Sequence, residues 1–313
     1  MDLFSPIRDF LRRSRLMFLT CTLVPVSLGG ALAVLYLRDH GSPFDWPLFL
    51  VTLLGVSVAH LGVNLANDYY DFRLGADRTE HDERPYSGGG GAITREGVDP
   101  DRVRRWFWGC FAVALAIGIG ILYRIPSGRA LVLSIMVLGF AGGYFYTAPP
   151  LRLAYRGWGE ADIFVFLGPA PVLGTFAVLT GTLTGAAVVC SLPVAGLIAA
   201  LLWINEYTDF ESDRAAGKRN LVVRLGRRNA AWGYAALMAF VFGAVVWSVL
   251  ARDAPAWFLL ALLPLPLAWR SVRTIVAAPE NGERIKAAQA DAFRVHLLTG
   301  LLCAVGAALG GSG

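Results

Sequence analysis

Residues 46–72 read WPLFLVTLLGVSVAHLGVNLANDYYDF, in which 22 residues without Asp, Glu, Lys or Arg run straight into the acids Asp68 and Asp71. A span across the hydrocarbon core of a bilayer takes about 20 apolar residues. This stretch is therefore predicted to cross a membrane and to present its acids at the far mouth. The ending recurs: NDYYDF at 67–72 has a near copy, NEYTDF, at 205–210, which closes another apolar run 138 residues later. The repetition argues for one shared purpose at two span ends.

Composition extends the argument to the whole chain. Of 313 residues, 56% are hydrophobic and 16% charged, too apolar for an ordinary soluble domain of this size. Nine candidate spans follow, at roughly 16–37, 46–67, 105–124, 128–147, 161–180, 185–206, 229–250, 255–274 and 292–310. The expected fold is all-α and multi-spanning: two four-helix units related by a parallel repeat, each carrying its acidic motif at the end of its second helix, plus a ninth helix. The links leave no room for a second soluble domain, so residues 1–313 are predicted to form one membrane-embedded domain. Within it, 68–104 and 207–228 are the active-site loops. At the N-terminus, Leu3, Phe4, Ile7, Phe10 and Leu11 alternate with Arg8, Arg12, Arg13 and Arg15 at helical spacing. Residues 1–15 read as a basic interfacial segment or as a cap that fixes topology, with no cleavable signal expected. The four cysteines, Cys21, Cys110, Cys190 and Cys303, fall one each in separate apolar runs and read as small core residues.

Basic residues orient the bundle. With the N-terminus in the cytoplasm and nine spans, 24 of the 28 Lys and Arg fall on the cytoplasmic side, and Arg38, Arg124, Arg129 and Arg252 fall outside. That asymmetry follows the positive-inside preference. An inner (plasma) membrane protein with both acidic motifs facing the cytoplasm is expected. The net charge of +5 reflects topology and anion binding; no nucleic-acid motif is present, and no obligate protein partner is implied.

At 3.6 residues per turn, Asn64, Asn67, Asp68 and Asp71 lie within roughly 100° of one another. Asn205, Asp209 and Asp213 follow at i, i+4 and i+8, with Glu206 bordering the same side and Glu211 pointing away. Carboxylates at membrane depth are costly beside one another unless a cation neutralises them. Oxygen donors with no nearby Cys or His favour Mg2+, which keeps waters and shares its coordination with phosphates. Lys218 and Arg219, in DRAAGKRNLVVRLG, supply cations for a phosphate, with Arg152 as a third candidate. The implied ligand has a diphosphate head and a hydrocarbon tail.

These motifs resemble a known family. Asn64-x-x-Asn67-Asp68-x-x-Asp71, and Asp209-x-x-x-Asp213 followed by Gly217-Lys218-Arg219, are similar to the two signatures of the UbiA-type intramembrane prenyltransferases. NLANDYYDFRLGAD, YTAPPLRLAYRGWGEADIFVFLGP, DRAAGKRNLVVRLG and RSRLMFLTCTLVPVSLGGALA resemble the menaquinone-pathway branch, which joins a polyprenyl diphosphate to 1,4-dihydroxy-2-naphthoate. The resemblance implies that Asp68, Asp71, Asp209 and Asp213 hold Mg2+. Asn64, Asn67 and Asn205 would serve as neutral ligands or orienters, and Lys218, Arg219 and Arg152 would contact the diphosphate. Tyr146 would stabilise an allylic cation through its ring or orient a phosphate; an interfacial tyrosine is the plainer alternative. Two departures concern the acceptor: Glu206 and Tyr207 stand where the naphthoate branch leads one to expect Asn and Arg, and RPYSGGGGAITRE is unusually rich in glycine. Glu206 would repel an anionic acceptor or accept a phenolic proton. Other acceptors open to such an enzyme are 4-hydroxybenzoate, homogentisate, a chlorophyll-like ring and a lipid glycerol phosphate.

An ion-coupled transporter would share intramembrane acids and repeats. It needs access from both sides, whereas both acidic motifs here point one way. Among lesser signals, Ser87–Gly91 reads as a lid over the metal site, Asp77 as a further ligand or a turn cap, and His60 as a satisfied histidine lining the pore.

Overall fold

In the computed structural model the described residues are 16–75, 93 and 97–310, and all regular structure among them is helical. The expectations for residues 1–15, Asp77 and Ser87–Gly91 concern residues outside that range. The helices are α1 (Thr20–Asp39), α2 (Trp46–Leu74), α3 (Pro100–Arg124), α4 (Arg129–Phe145), α5 (Gly159–Phe166), α6 (Pro169–Thr180), α7 (Gly185–Thr208), α8 (Phe210–Ala215), α9 (Leu221–Leu250), α10 (Leu265–Ala277) and α11 (Gly282–Leu309), with short 3-10 turns at Leu16–Leu19, Leu153–Tyr155 and Ala256–Leu262. Eight helical segments are long and apolar enough to cross a membrane; α4, at 17 residues, is a shorter apolar helix.

Local chemistry sets the boundaries. Asp45 accepts the Leu48 N–H at the start of α2, Thr184 the Ala187 N–H at α7, and Asn281 the Arg284 N–H at α11. Each fills one of the donors a helix start leaves open. Several helices reach beyond their apolar stretch: α3 begins at Pro100 and α11 at Gly282, because capping and packing, and not hydropathy, decide where a helix starts. Two predicted spans are broken. The one at 161–180 divides into α5 and α6 at Gly168-Pro169, since Pro169 lacks the N–H that would continue the ladder. The one at 255–274 is a 3-10 turn followed by α10, with Pro264 and Pro266 between and within them. Helix α9 carries a further kink at Gly226, whose φ of 74° is left-handed.

Helix α2 packs on α3, α9 on α7, and α1 on both α6 and α11, while α7 also meets α11 and α5. Close approach depends on small residues. A methyl group at Gly29 would overlap the Val172 carbonyl oxygen, so only glycine lets α1 reach α6 here. Helix α7 is the most buried span, and Leu197, Ile198, Ile204 and Tyr207 on it are fully enclosed. On the outside, Leu50, Leu54, Trp247 and Leu250 are exposed, as expected of side chains facing lipid tails.

Candidate active site

The acids of both motifs meet at one end of the bundle, at the mouth of a cavity of about 790 Å3. Its polar end is walled by Asn64, Asn67 and Asp71 from α2, Asn205, Glu206 and Asp209 from the end of α7, and Asp213 and Lys218 beyond it. Val56 and Ala59 of α2, Phe111 and Ile117 of α3, Ile135 and Met136 of α4 and Phe166 of α5 continue the wall as hydrocarbon. This is a volume with one charged end and a long apolar remainder.

Helix α2 runs unbroken through NDYYDF and stops at Gly75, whose φ of 91° closes the helix with its N–H on the Asp71 carbonyl. Along that face Asn67 donates to Asp71 at 3.2 Å, and Asn64 Nδ2 is buried with no partner. Asp68 is 3% exposed but does not line the cavity. It lies at one edge of the arc, about 100° round from Asn67.

The second motif is built differently. Helix α7 ends at Thr208 and α8 begins at Phe210, so Asp209 sits at a break and not inside the continuous helix that its spacing predicted. The i+4 ladder survives the break, with Asp209 N–H on Asn205 O and Asp213 N–H on Asp209 O. Beyond Asp213 the chain turns back: the N–H of Gly217, at φ 73°, bonds the Arg214 carbonyl, and the Lys218 N–H bonds the Asp213 carbonyl. This is a Schellman ending, which needs a left-handed residue at that point. Its consequence is that Lys218 is folded back over the motif it follows.

Lys218 Nζ stands 3.5 Å from Asp213 Oδ1 and 3.9 Å from Asp71 Oδ2, so one ammonium bridges the two motifs. Burial alone would lower its pKa, but Asp213 and Asp71 more than offset this and hold it well above the ordinary lysine value. Asp213 is raised too, but by burial, which pushes it up to about 6 despite Lys218. Residues that the spacing argument did not single out complete the frame. Tyr155 donates its hydroxyl to Asp71 Oδ1 at 2.7 Å, and its ring lies 5.6 Å from the Lys218 ammonium. Asn220 donates to Asp213 Oδ2 at 2.8 Å while capping α9 through Val223 N–H. Gln289 donates to Asn205 Oδ1 at 2.9 Å. Asp162 also lines the cavity, and Glu160 accepts the Leu221 N–H, tying α5 to α9.

Tyr146, at the end of α4, lines the cavity. His60 lines the cavity and pairs with Thr22 at 2.7 Å, in keeping with a satisfied histidine. Arg219 is exposed and Arg152 half-buried, and neither is part of the cavity wall. Arg224 ties the loops that carry them together through the Arg219 and Arg156 carbonyls. Glu211 points outward and meets Arg227 at 3.8 Å.

Among the described residues no three His, Cys, Asp or Glu side chains converge as a ready-made metal cage. The donor chemistry nevertheless suits Mg2+. Asp71, Asp209 and Asp213 offer carboxylate oxygens, and Asn64, Asn67 and Asn205 offer amide oxygens, all at one end of one cavity. The charge of Asp71 and Asp213 already attracts a cation, since an ammonium lies between them.

The comparisons with known proteins agree with this geometry. The model of the UbiA prenyltransferase family matches residues 23–309. The 1,4-dihydroxy-2-naphthoate octaprenyltransferase of Bacillus subtilis (strain 168) is 31% identical over 258 residues, 82% of this chain and 79% of that protein. The human UbiA prenyltransferase domain-containing protein 1 is 28% identical over 294 residues, 94% of this chain and 81% of that protein. Among solved structures, a UbiA homolog from Archaeoglobus fulgidus bound to GPP and Mg2+ has the same fold, with a TM-score of 0.66 at 16% identity, covering 94% of this chain and 99% of that one. A bundle of apolar helices with two acidic span ends closed on one cavity, matched along nearly its whole length, makes this chain an integral membrane prenyltransferase of the UbiA family.

Proposed function

We propose that this protein, as a single membrane-embedded domain, transfers a polyprenyl group from a polyprenyl diphosphate to an electron-rich hydroxylated aromatic ring. The proposed acceptor is 1,4-dihydroxy-2-naphthoate, the step that would supply menaquinone. One observation carries the chemistry: two acidic motifs from distant span ends face each other across Lys218 at the charged end of an otherwise hydrocarbon-lined cavity. A diphosphate head and an isoprenoid tail match those two halves. The similarity to the Bacillus subtilis enzyme supports the acceptor, and the Mg2+ and GPP named with the Archaeoglobus homolog support the donor and the metal. The excess of Lys and Arg in the loops on this side supports a site that faces the cytoplasm from the inner membrane.

In this proposal Asp71, Asp209 and Asp213 hold Mg2+, Asp68, expected from the motif as a fourth ligand, stands outside the cavity wall and adds negative charge behind them, and Asn64, Asn67 and Asn205 serve as neutral ligands or orienters. Bound Mg2+ would draw charge off the diphosphate and weaken the allylic C–O bond. Lys218 meets phosphate oxygens inside the cavity, while Arg219 and Arg152 attract the anionic head from outside the cavity wall. Tyr146 offers its ring face to the positive charge that develops on the allyl group. The apolar walls exclude water, which would otherwise trap that cation. The test is transfer from labelled polyprenyl diphosphates in membranes, against a panel of acceptors, with and without chelator. Transfer to dihydroxynaphthoate that chelation abolishes and Mg2+ restores is expected. Full activity in chelator would overturn the metal, and failure to restore menaquinone in a strain lacking its own transferase would overturn the acceptor.

A further inference from the structure

One wall of the cavity carries more acid than the diphosphate end uses. Glu206 lies one helical turn before Asp209, on the bilayer side of the motif, is 4% exposed, and has no partner for its carboxyl oxygens other than the neighbouring carboxyl of Glu160. Asp162, in the first turn of α5, is 6% exposed, and both of its oxygens lack partners. Both side chains line the cavity. Glu160 stands beside Glu206 and leaves its own Oε2 unpartnered. Buried polar atoms are nearly always paired, so unfilled acceptors that face a cavity mark what its ligand should bring.

Charge compensation does not account for them. Among the described residues Lys218 is the sole Lys or Arg in the cavity wall, and it already bridges Asp71 and Asp213. The acids on this wall do not gather into a cation cage either. What Glu206 and Asp162 lack is a donor from the rest of the protein beyond Glu160. The prenyl diphosphate brings none, because its head is all acceptor and its tail has no polar atoms. The second substrate of the proposed transfer does bring them, as ring hydroxyls.

We infer that Glu206 and Asp162 form the acceptor subsite, in which un-ionised ring hydroxyls of the aromatic substrate donate to the two side chains. This rests on the proposed prenyl transfer and deepens it. The subsite selects for free hydroxyls and offers no cation to an acceptor's carboxylate. A carboxylated ring must therefore turn that group away from this wall. Lying between the diphosphate end and the apolar walls, Glu206 and Asp162 hold the ring beside the allylic carbon and leave the metal ligands untouched.

The experiment compares acceptors that differ only in the hydroxyl. With wild-type protein, a dihydroxynaphthyl acceptor and its methyl ethers are offered under saturating polyprenyl diphosphate and Mg2+. Free hydroxyls are expected to be preferred by about tenfold or more in kcat/KM. Glu206→Met, which keeps side-chain length but removes the acceptor oxygens, should raise the acceptor KM by about tenfold and leave the donor KM within about twofold. It should also abolish the discrimination against the ethers. Glu206→Gln, which retains a carbonyl oxygen, should recover most of the acceptor affinity. Asp162→Leu provides the same comparison from α5 if the Glu206 variants do not fold, and the wild-type preference needs no variant at all. Transfer by wild type with indifference to methylation, or equal changes in both KM values, overturns the subsite and leaves the transferase standing. No transfer to any hydroxylated aromatic overturns both.

Discussion

The two acidic motifs look alike in sequence and are constructed in opposite ways. NDYYDF ends a continuous helix whose last turns carry Asn67 and Asp71 in fixed register down to Gly75. NEYTDF is split at Asp209, restarted as α8, and reversed at Gly217 so that the following lysine comes back over it. The first is a stiff ledge of acids with no cation of its own pointing into the cavity. The second contributes the cation for both. Similar residues at the two span ends thus do different work: one motif presents carboxylates, and the other presents carboxylates together with the charge that holds the pair.

The sharpest way to break this comparison is to remove one acid from each side. Asp71→Ala and Asp213→Ala should each lower turnover by about 10²- to 10³-fold while the protein still inserts and elutes from detergent columns as wild type does. If the ledge variant alone lost activity, the second motif would be a loop anchor and not a ligand set. Neighbouring cations supply the next contrast. Lys218 lines the cavity and Arg219, one residue on, is exposed and outside the cavity wall. Lys218→Met should cost about 10²-fold in kcat/KM for the prenyl diphosphate, whereas Arg219→Ala should stay within about threefold at physiological salt. Steady-state kinetics with the donor varied separates the two, and equal losses would mean that Arg219 moves inward when the donor binds.

The motifs should also differ in pH response. Burial pushes Asp213 up to about 6 from its ordinary 3.8, whereas Lys218 is held well above its ordinary value and stays charged throughout the neutral range. A carboxyl whose folded pKa is raised contributes stability, through its protonated form, that is fully present below about 4 and is lost as the pH rises through about 6. The ionised form needed for Mg2+ is therefore the strained one. In the metal-free protein, Mg2+ affinity should fall by about tenfold per unit as the pH drops below about 6, since binding must displace one proton. Calorimetric titration at several pH values checks this. Asp213→Asn should remove the step, and a step that persists would assign it to another acid.

Much of this was legible in the sequence because hydropathy and helical spacing are local. Nine apolar runs, the polar arc of α2 and the oxygen-only donor set follow from residues within a few turns of one another. What escaped was long-range or lay at a break. Tyr155 reaches Asp71 from a link 84 residues away, and no periodicity connects them. The helix stop at Asp209 falls in a run that still reads as helical. Asp162 falls inside the predicted span at 161–180, where it was read as part of a crossing helix. The signal available was its charge, because an acid inside an apolar run is a functional candidate by default. Arg219 was grouped with Lys218 because adjacent residues look equivalent in sequence; the Schellman turn sends one inward and leaves the other outside.

The smallest expected effect isolates how the second motif is held in place. Asn220 is fully buried and does two jobs: its Oδ1 caps α9 at the Val223 N–H, and its Nδ2 donates to Asp213. In the first motif the unbroken helix sets the register of the acids, and Tyr155 and Asn67, neither of which caps that helix, donate to Asp71. Asn220→Ala should lower stability by about 1 kcal/mol through loss of the cap, and should also lower turnover because Asp213 Oδ2 loses its donor. Asn220→Ser separates the two roles: a serine hydroxyl can still cap α9 but is too short to reach Asp213. Unfolding in detergent should show stability recovered in the serine variant, while kcat stays depressed by about threefold or more. If kcat recovered along with stability, Asn220 would be a helix cap alone, and the second motif would hold its geometry through the backbone turn at Gly217 without side-chain help.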